Sequence, residues 1–229
     1  MKKRSIALLL LLVLLTGCGA KTEEAPWQAA YRETGKYLQE QDTLSAGSVG
    51  GEWAVIGLSR AGLLSDKAAQ SYEITAEDYV KQADSGRLDR SKSTENSRTI
   101  LGLTAAGYDA SNVAGVDLTS GLSDMNYLRI QGLNGPIWAL IALDCHSYDI
   151  PQCAEGGEQT TREGLVAEIL TSQCSDGGWT LAGDTADVDM TAMALTALAP
   201  YKDDAEVKAA VDAALTYLSD AQQADGGFM

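Results

Sequence analysis

Apolar residues recur at helical spacing along most of the chain, and no stretch shows the two-residue alternation that is typical of strands. Two kinds of segment follow one another. Segments with an apolar stripe on one side lie at 26–41, 67–84, 161–173 and 204–221, and a weaker one at 117–130. The segment 188–199 is apolar or small nearly all round, and the segments predicted as further inner helices lie at 51–61, 96–106 and 134–149. Because a helix that is apolar on every side is buried, the pattern predicts four outer–inner helix pairs plus one unpaired outer helix.

A short turn occurs twice in the second half of the chain. The segment Gln173-x-x-Asp176-Gly177-Gly178-Trp179 is matched by Gln222-x-x-Asp225-Gly226-Gly227-Phe228, 49 residues later. Paired glycines permit a positive φ at a helix exit, and the aromatic ring gives the turn an apolar group to bury. Recurrence at such a period predicts a repeat architecture.

These turns resemble the QW-type repeat of the terpene cyclase and protein prenyltransferase α/α-toroid superfamily. The segments GEWAVIGLSRAG (51–62), NSRTILGLTAAGYD (96–109) and NGPIWALIALDCHSYD (134–149) look like inner helices of that superfamily. They are most similar to its secreted bacterial lipoprotein branch, whose toroid domain also resembles that of the cobalamin carriers. The resemblance implies an all-α fold, an open α/α-toroid arc over residues 26–229. Since the second turn should lead into a fifth inner helix, we expect the sequence to be truncated at its C-terminus.

The N-terminus has the pattern of an export signal. Three basic residues at positions 2–4 precede ten apolar residues, Ile6 to Leu15, a run too short to span a bilayer. Leu15-Thr16-Gly17-Cys18 then resembles a bacterial lipobox. We therefore expect 1–18 to be a lipoprotein signal peptide, Cys18 to carry a diacylglycerol, and 19–25 to be a tether. This places the protein outside the cytoplasm, lipid-anchored to the outer face of a bacterial cell membrane.

The charge of the chain limits its partners. The formal net charge is −15, and the part after residue 18 carries 14 basic and 32 acidic residues. Such an acidic surface argues against nucleic acid and against anionic lipid, so we expect membrane contact only through the lipid anchor. The remaining candidate partners are a small molecule, a glycan or a surface protein.

The segment DVDMTA, Asp187 to Ala192, looks like a degenerate form of the acid motif of squalene–hopene-type cyclases. In that resemblance Asp189 matches the acid that protonates an alkene, Asp187 matches the first Asp, and Met190 replaces the third. Carbocation chemistry also needs a cavity lined with aromatic faces, and few aromatic residues lie in the predicted inner helices. We therefore interpret Asp187 or Asp189 as a helix cap, with catalysis as the alternative.

The sequence predicts no metal site and no cofactor. His146 is the only histidine, and Asp144, Cys145 and His146 are neighbours at one helix end, whereas zinc needs three or four ligands. The compartment permits disulfides. Cys174 lies at the far end of the predicted helix 161–173, roughly 20 Å away at 1.5 Å per residue. Only Cys145 and Cys153 are therefore predicted to pair, and Cys174 to stay free.

The helix order also predicts where a ligand would bind. Because outer and inner helices alternate in direction, all inner-helix N-termini should collect at one end, where their dipoles place partial positive charge. We expect Trp53, Arg98, Trp138 and Asp189 to converge there in one concave pocket. The favoured function is a surface-anchored, non-catalytic module that binds a ligand or partner. The alternatives are an enzyme of terpene cyclase, prenyltransferase or carbohydrate-active toroid type, and a structural spacer or adhesin segment.

Overall fold

The computed structural model describes residues 25–40, 44–83 and 86–228, and within these ranges the chain is helical and contains no strand. The helices are α1 (Pro26–Gln39), α2 (Val49–Arg60), α3 (Asp66–Lys81), α4 (Ser93–Ala106), α5 (Met125–Leu128), α6 (Asn134–Asp144), α7 (Arg162–Thr171), α8 (Val188–Leu198) and α9 (Ala205–Ala221). Short 3-10 helices span Leu118–Leu122, Arg129–Gln131 and Ala199–Tyr201. The predicted all-α class is confirmed. Across the part of the chain that is described, no helix has both the length and the apolar character needed to cross a bilayer.

The described residues divide between two compact units, with residues 25–40 in the first and the residues from 44 onward in the second. Helix α1 belongs to the first unit and begins at Pro26, whose fixed φ suits the first helical position. The backbone N–H of Ala25 donates to the Gln28 side chain at 2.9 Å, which satisfies a group that the helix start leaves free. The signal peptide, Cys18 and all of the tether before residue 25 lie outside the described residues.

Four largely apolar helices form the centre of the second unit. Helix α2 packs on α4, α4 packs on α6, and α6 packs on α8. Ile100, Leu140 and Leu198 are fully buried in one continuous apolar core, as expected for helices that are apolar on every side. Leu195, on the same helix as Leu198, is only partly buried. The inner helices predicted from the pattern are therefore present, within three residues of their predicted starts.

Amphipathic helices lie against this row. Helix α3 packs on α4, α7 packs on α6, and α9 packs on α8. In α3 the buried residues Tyr72, Ala76 and Val80 follow one another at four-residue spacing, so one face enters the core and the opposite face meets solvent. The weak element predicted at 117–130 is the short helix α5, flanked by two 3-10 helices.

Two tyrosines at the ends of inner helices show the relative direction of these helices. The Tyr148 hydroxyl, just after α6, lies 2.8 Å from the Thr104 hydroxyl of α4. The Tyr201 hydroxyl, just after α8, donates to Asp144 Oδ2 at the end of α6, also at 2.8 Å. The C-terminal ends of α4, α6 and α8 therefore lie side by side, and these helices run parallel. Their N-termini consequently gather at the opposite end.

Candidate functional site

Two tryptophans from different inner helices meet at the N-terminal end of the row. Trp53 is the fifth residue of α2 and Trp138 the fifth residue of α6. Their ring centroids are 5.3 Å apart and their planes are inclined by 60°. Helices α2 and α6 both pack on α4, whose own fifth residue is the small, fully buried Ser97. The two rings therefore meet beside α4, and Trp53 remains 41% exposed.

Arg98 of α4 joins two carboxylates beside this aromatic pair. Its Nη2 lies 2.6 Å from Glu95 Oε2 on the same helix. Its Nε lies 3.3 Å from Oε2 of Glu52, the residue that precedes Trp53. Tyr79 of α3 also donates to Glu95 Oε2, at 3.3 Å. Arg98 thus links α2 and α4 through ion pairs.

Glu52 is a fully buried carboxylate. Its Oε1 accepts a 2.6 Å hydrogen bond from the backbone N–H of Gly47, in the loop before α2. Burial raises the pKa of Glu52, and backbone hydrogen bonds and the charge of Arg98 act in the opposite direction. The Tyr72 hydroxyl of α3 is buried nearby, and burial followed by the Glu52 charge raises the pKa of that phenol. The site therefore combines an exposed aromatic surface with buried, ionisable groups.

Glu52 belongs to a recurring arrangement that sequence reasoning missed. The fourth residues of α2, α4 and α8 are Glu52, Asn96 and Thr191. Each is buried, and each side chain accepts from a backbone N–H of the preceding loop, at 2.6, 2.9 and 2.9 Å respectively. These polar residues are visible in the sequence, but their common position depends on the helix starts Val49, Ser93 and Val188 that the structure gives. These side chains fasten the loops that lead into the inner helices.

The two acids of the cyclase-like segment have separate surroundings. Asp187 is the N-cap of α8, and its Oδ1 accepts from the Met190 N–H at 2.7 Å. Asp189 lies in the first helical turn and is exposed. Of the four predicted site residues, the structure brings Trp53 and Trp138 into contact. It places Arg98 in the adjoining ion-pair cluster and Asp189 on the exposed first turn of α8.

The predicted disulfide between Cys145 and Cys153 is not formed in the structure, where Cys145, Cys153 and Cys174 are all free thiols. The Cys145 Sγ turns back along its own helix and donates to the Ala142 carbonyl at 3.1 Å. The Cys153 Sγ instead packs against Gly157, within the loop that follows. Each thiol thus has a contact within its own segment.

Asp144 and His146, at the C-terminal end of α6, contact neighbouring side chains. Asp144 Oδ1 accepts from Arg162 Nε at 2.7 Å, and Oδ2 accepts from Tyr201. The His146 ring lies 5.3 Å from the ring of Tyr148. Among the residues that the structure describes, no three His, Cys, Asp or Glu side chains are grouped so as to hold a metal ion.

Comparison with known proteins found no relative of this chain. No protein-family model matches the chain, and neither the curated proteins nor the solved structures include a match. Lipidation of Cys18 stays a prediction, because residues 1–24 lie outside the described part of the chain.

Proposed function

We propose that the protein is a non-catalytic binding module, anchored through Cys18 to the outer face of a bacterial cell membrane, that takes its ligand at the Trp53–Trp138 pair. The row of parallel inner helices with amphipathic helices against it is compatible with the open α/α-toroid arc that the sequence resembles. The lipobox pattern at Leu15 to Cys18 supports the anchored location.

The observation that carries this proposal is the contact between Trp53 and Trp138. The two rings come from helices that are not adjacent in the row, yet they meet at a centroid distance of 5.3 Å. Trp53 nevertheless keeps 41% of its surface exposed, so it does more than fill the core. Two inclined aromatic faces beside each other suit a ligand with a flat apolar face and a polar edge.

The surroundings of the pair favour a neutral, hydroxyl-bearing ring such as a sugar unit. The N-termini of α4, α6 and α8 gather at this end, where the helix dipoles place partial positive charge that suits the oxygen atoms of ligand hydroxyls. The formal charge of −15 disfavours an anionic ligand. The capping role of Asp187 and the exposure of Asp189 support binding rather than alkene protonation, because an exposed acid is solvated by water.

Binding can be tested by titrating the lipid-anchored protein with soluble glycan fragments while intrinsic tryptophan fluorescence is recorded. We expect Trp53→Ala and Trp138→Ala to weaken binding at least about tenfold, a loss of about 1.4 kcal/mol, with nearly unchanged melting temperatures. Trp27→Ala is the matched control, since Trp27 lies on α1 and is 68% exposed. Equal binding by Trp138→Ala and the wild type would place the ligand elsewhere, and turnover of the glycan would favour the enzyme alternative.

The anchor has its own test. Cys18→Ala should abolish lipidation, because only the Cys18 thiol in the lipobox can accept the diacylglycerol. Mass spectrometry of the mature N-terminus, together with fractionation of cells into membrane and medium, measures this directly. An unmodified N-terminus at another residue in the wild type would contradict the lipoprotein assignment.

A further inference from the structure

Buried polar atoms without a hydrogen-bond partner concentrate at one place, between helices α2, α3 and α4. Six such atoms occur within the described residues, and four of them belong to these helices: Glu52 Oε2, Tyr72 Oη, Arg98 Nε and Thr99 Oγ1, whereas Asn134 Oδ1 and Thr160 Oγ1 lie elsewhere. The Glu52, Tyr72 and Thr99 side chains are fully buried. Buried polar groups in folded proteins are almost always paired with protein or ordered water, so this concentration requires a partner.

Contacts bring Glu52, Arg98 and Tyr72 together, and Thr99 follows Arg98 on α4. Glu52 Oε2 lies 3.3 Å from Arg98 Nε, but the angle between them does not make a hydrogen bond. The surroundings of Gly102 on α4 show that Tyr72 and Glu52 lie close to each other. The Tyr72 hydroxyl lies so close over Gly102 that a Cβ there would overlap it, and the same Cβ would stand 3.3 Å from Glu52 Cγ. Arg98 and Thr99 precede Gly102 by four and three positions, so they share its face of α4.

We propose that this cluster, here called the polar chamber (Glu52, Tyr72, Arg98 and Thr99), holds an ordered water molecule as a structural ligand. The chamber offers a fixed N–H donor from Arg98, a carboxylate acceptor from Glu52, and two hydroxyls that can donate or accept. A water molecule donates twice and accepts twice, so it can complete all four groups at once.

The charges of the polar chamber favour a neutral molecule over an ion. The Arg98 guanidinium disfavours a cation, and the Glu52 carboxylate, with Glu95 beside it, disfavours an anion. A small neutral molecule that has both hydrogen-bond donors and acceptors is repelled by neither charge. Gly102 contributes by its lack of a side chain, since a Cβ there would clash with the Tyr72 hydroxyl and push it out of the cluster.

The water would join three helices at the base of the exposed aromatic surface. Through Glu52 it is connected to the Gly47 N–H and so to the loop that leads into α2. Glu52 immediately precedes Trp53, so the same contact helps to fix the helix turn that carries Trp53. The water site itself does not rest on the proposed binding function, because it follows from the buried polar atoms alone.

The experiment deletes one hydroxyl at a time and measures thermal unfolding of the full chain. If the chamber holds water, Tyr72→Phe and Thr99→Val each lose a hydrogen bond, and each melting temperature falls by roughly 2–4 °C. If the chamber is dry, both variants remove an unpaired buried hydroxyl, so the melting temperature rises or stays the same. Tyr148→Phe is the matched control, since its hydroxyl contacts Thr104 and the Ala110 N–H. It should lower the melting temperature in either case.

A high-resolution crystal structure supplies the direct readout, which does not depend on the variants' folding. We expect a water within hydrogen-bonding distance of Glu52 Oε2 and the Tyr72 hydroxyl in the wild type. In Tyr72→Phe, that water should be displaced or lost. An empty chamber, or a direct hydrogen bond between these side chains that leaves no room for a guest, would overturn the proposal.

Discussion

The two Gly-Gly turns have the same internal structure and different surroundings. We call residues 173–179 the first turn and residues 222–228 the second turn. In each, the Gln side chain donates to the carbonyl of the first glycine, at 2.7 Å in the first turn and 3.0 Å in the second. The residue after the Gln donates to the carbonyl of the second glycine, at 2.9 and 2.8 Å. The first glycine has a positive φ in both, 95° and 87°.

The two turns differ in how tightly their side chains are packed. Trp179 of the first turn is fully buried, and its Nε1 donates to the Ile169 carbonyl at 2.7 Å. The Gln173 side chain makes a second hydrogen bond, to the Ala210 carbonyl of α9, at 2.9 Å. Phe228 of the second turn is 44% exposed. The residues of a turn thus suffice to set its hydrogen bonds, whereas its contribution to stability depends on the helices that pack on it.

The aromatic residues should show this difference most strongly. Trp179→Ala leaves a cavity in the core and removes the bond to Ile169, so we expect a loss of about 3–5 kcal/mol in the free energy of unfolding. Phe228→Ala should cost less than about 1 kcal/mol, since much of its ring already meets solvent. Urea denaturation followed by circular dichroism measures both. Similar losses for the two variants would mean that the second turn is packed as tightly as the first.

The glutamines test the hydrogen bonds alone. Gln173→Ala removes two bonds, one within the turn and one to α9, and we expect a loss of about 1–2 kcal/mol. Gln222→Ala removes the turn bond of an exposed side chain and should cost about 0.5 kcal/mol. The same denaturation measurement applies, with the two alanine variants as each other's control. If Gln222→Ala were the more damaging variant, the bond to Ala210 would contribute nothing.

Much of the fold could be predicted because helical periodicity is a local property of the sequence. Each predicted inner helix is present and begins within three residues of its predicted start. The recurrence of the turn likewise predicted a recurring structure, since glycine and glutamine act on their own backbone. The arrangement of the helices relative to one another is a matter of long-range packing, which periodicity does not specify.

The candidate site was predicted only in part, for the same reason. Trp53 and Trp138 occupy equivalent helix positions, so their convergence at one end followed from the parallel order of the helices. Glu52 could not be predicted as a buried residue, because an acid in a first helical turn is usually exposed to solvent. The ion pair between Arg98 and Glu52 could not be predicted either, because it depends on the buried position of Glu52.

The smallest expected difference between the turns concerns one thiol. Cys174 follows Gln173 in the first turn, and Gln223 holds the equivalent position in the second. Burial, and then the nearby charges of Asp176 and Asp184, raise the pKa of the Cys174 thiol. Because the thiolate is the reacting form, a raised pKa moves the midpoint of labelling by a thiol reagent to higher pH.

A Gln223→Cys variant permits both positions to be measured in one sample, with labelled peptides quantified by mass spectrometry across pH 6–10. The backbone around the two thiols is the same, so a difference in midpoint reports burial and charge rather than turn geometry. Position 223 is exposed, so its thiol should titrate nearer the ordinary value of about 8.5, and Cys174 above it. At pH 8, Cys174 should therefore react more slowly than the cysteine at 223. If Cys174 had the lower midpoint, the first turn would present its thiol to solvent, and the contrast in packing between the turns would not extend to this position.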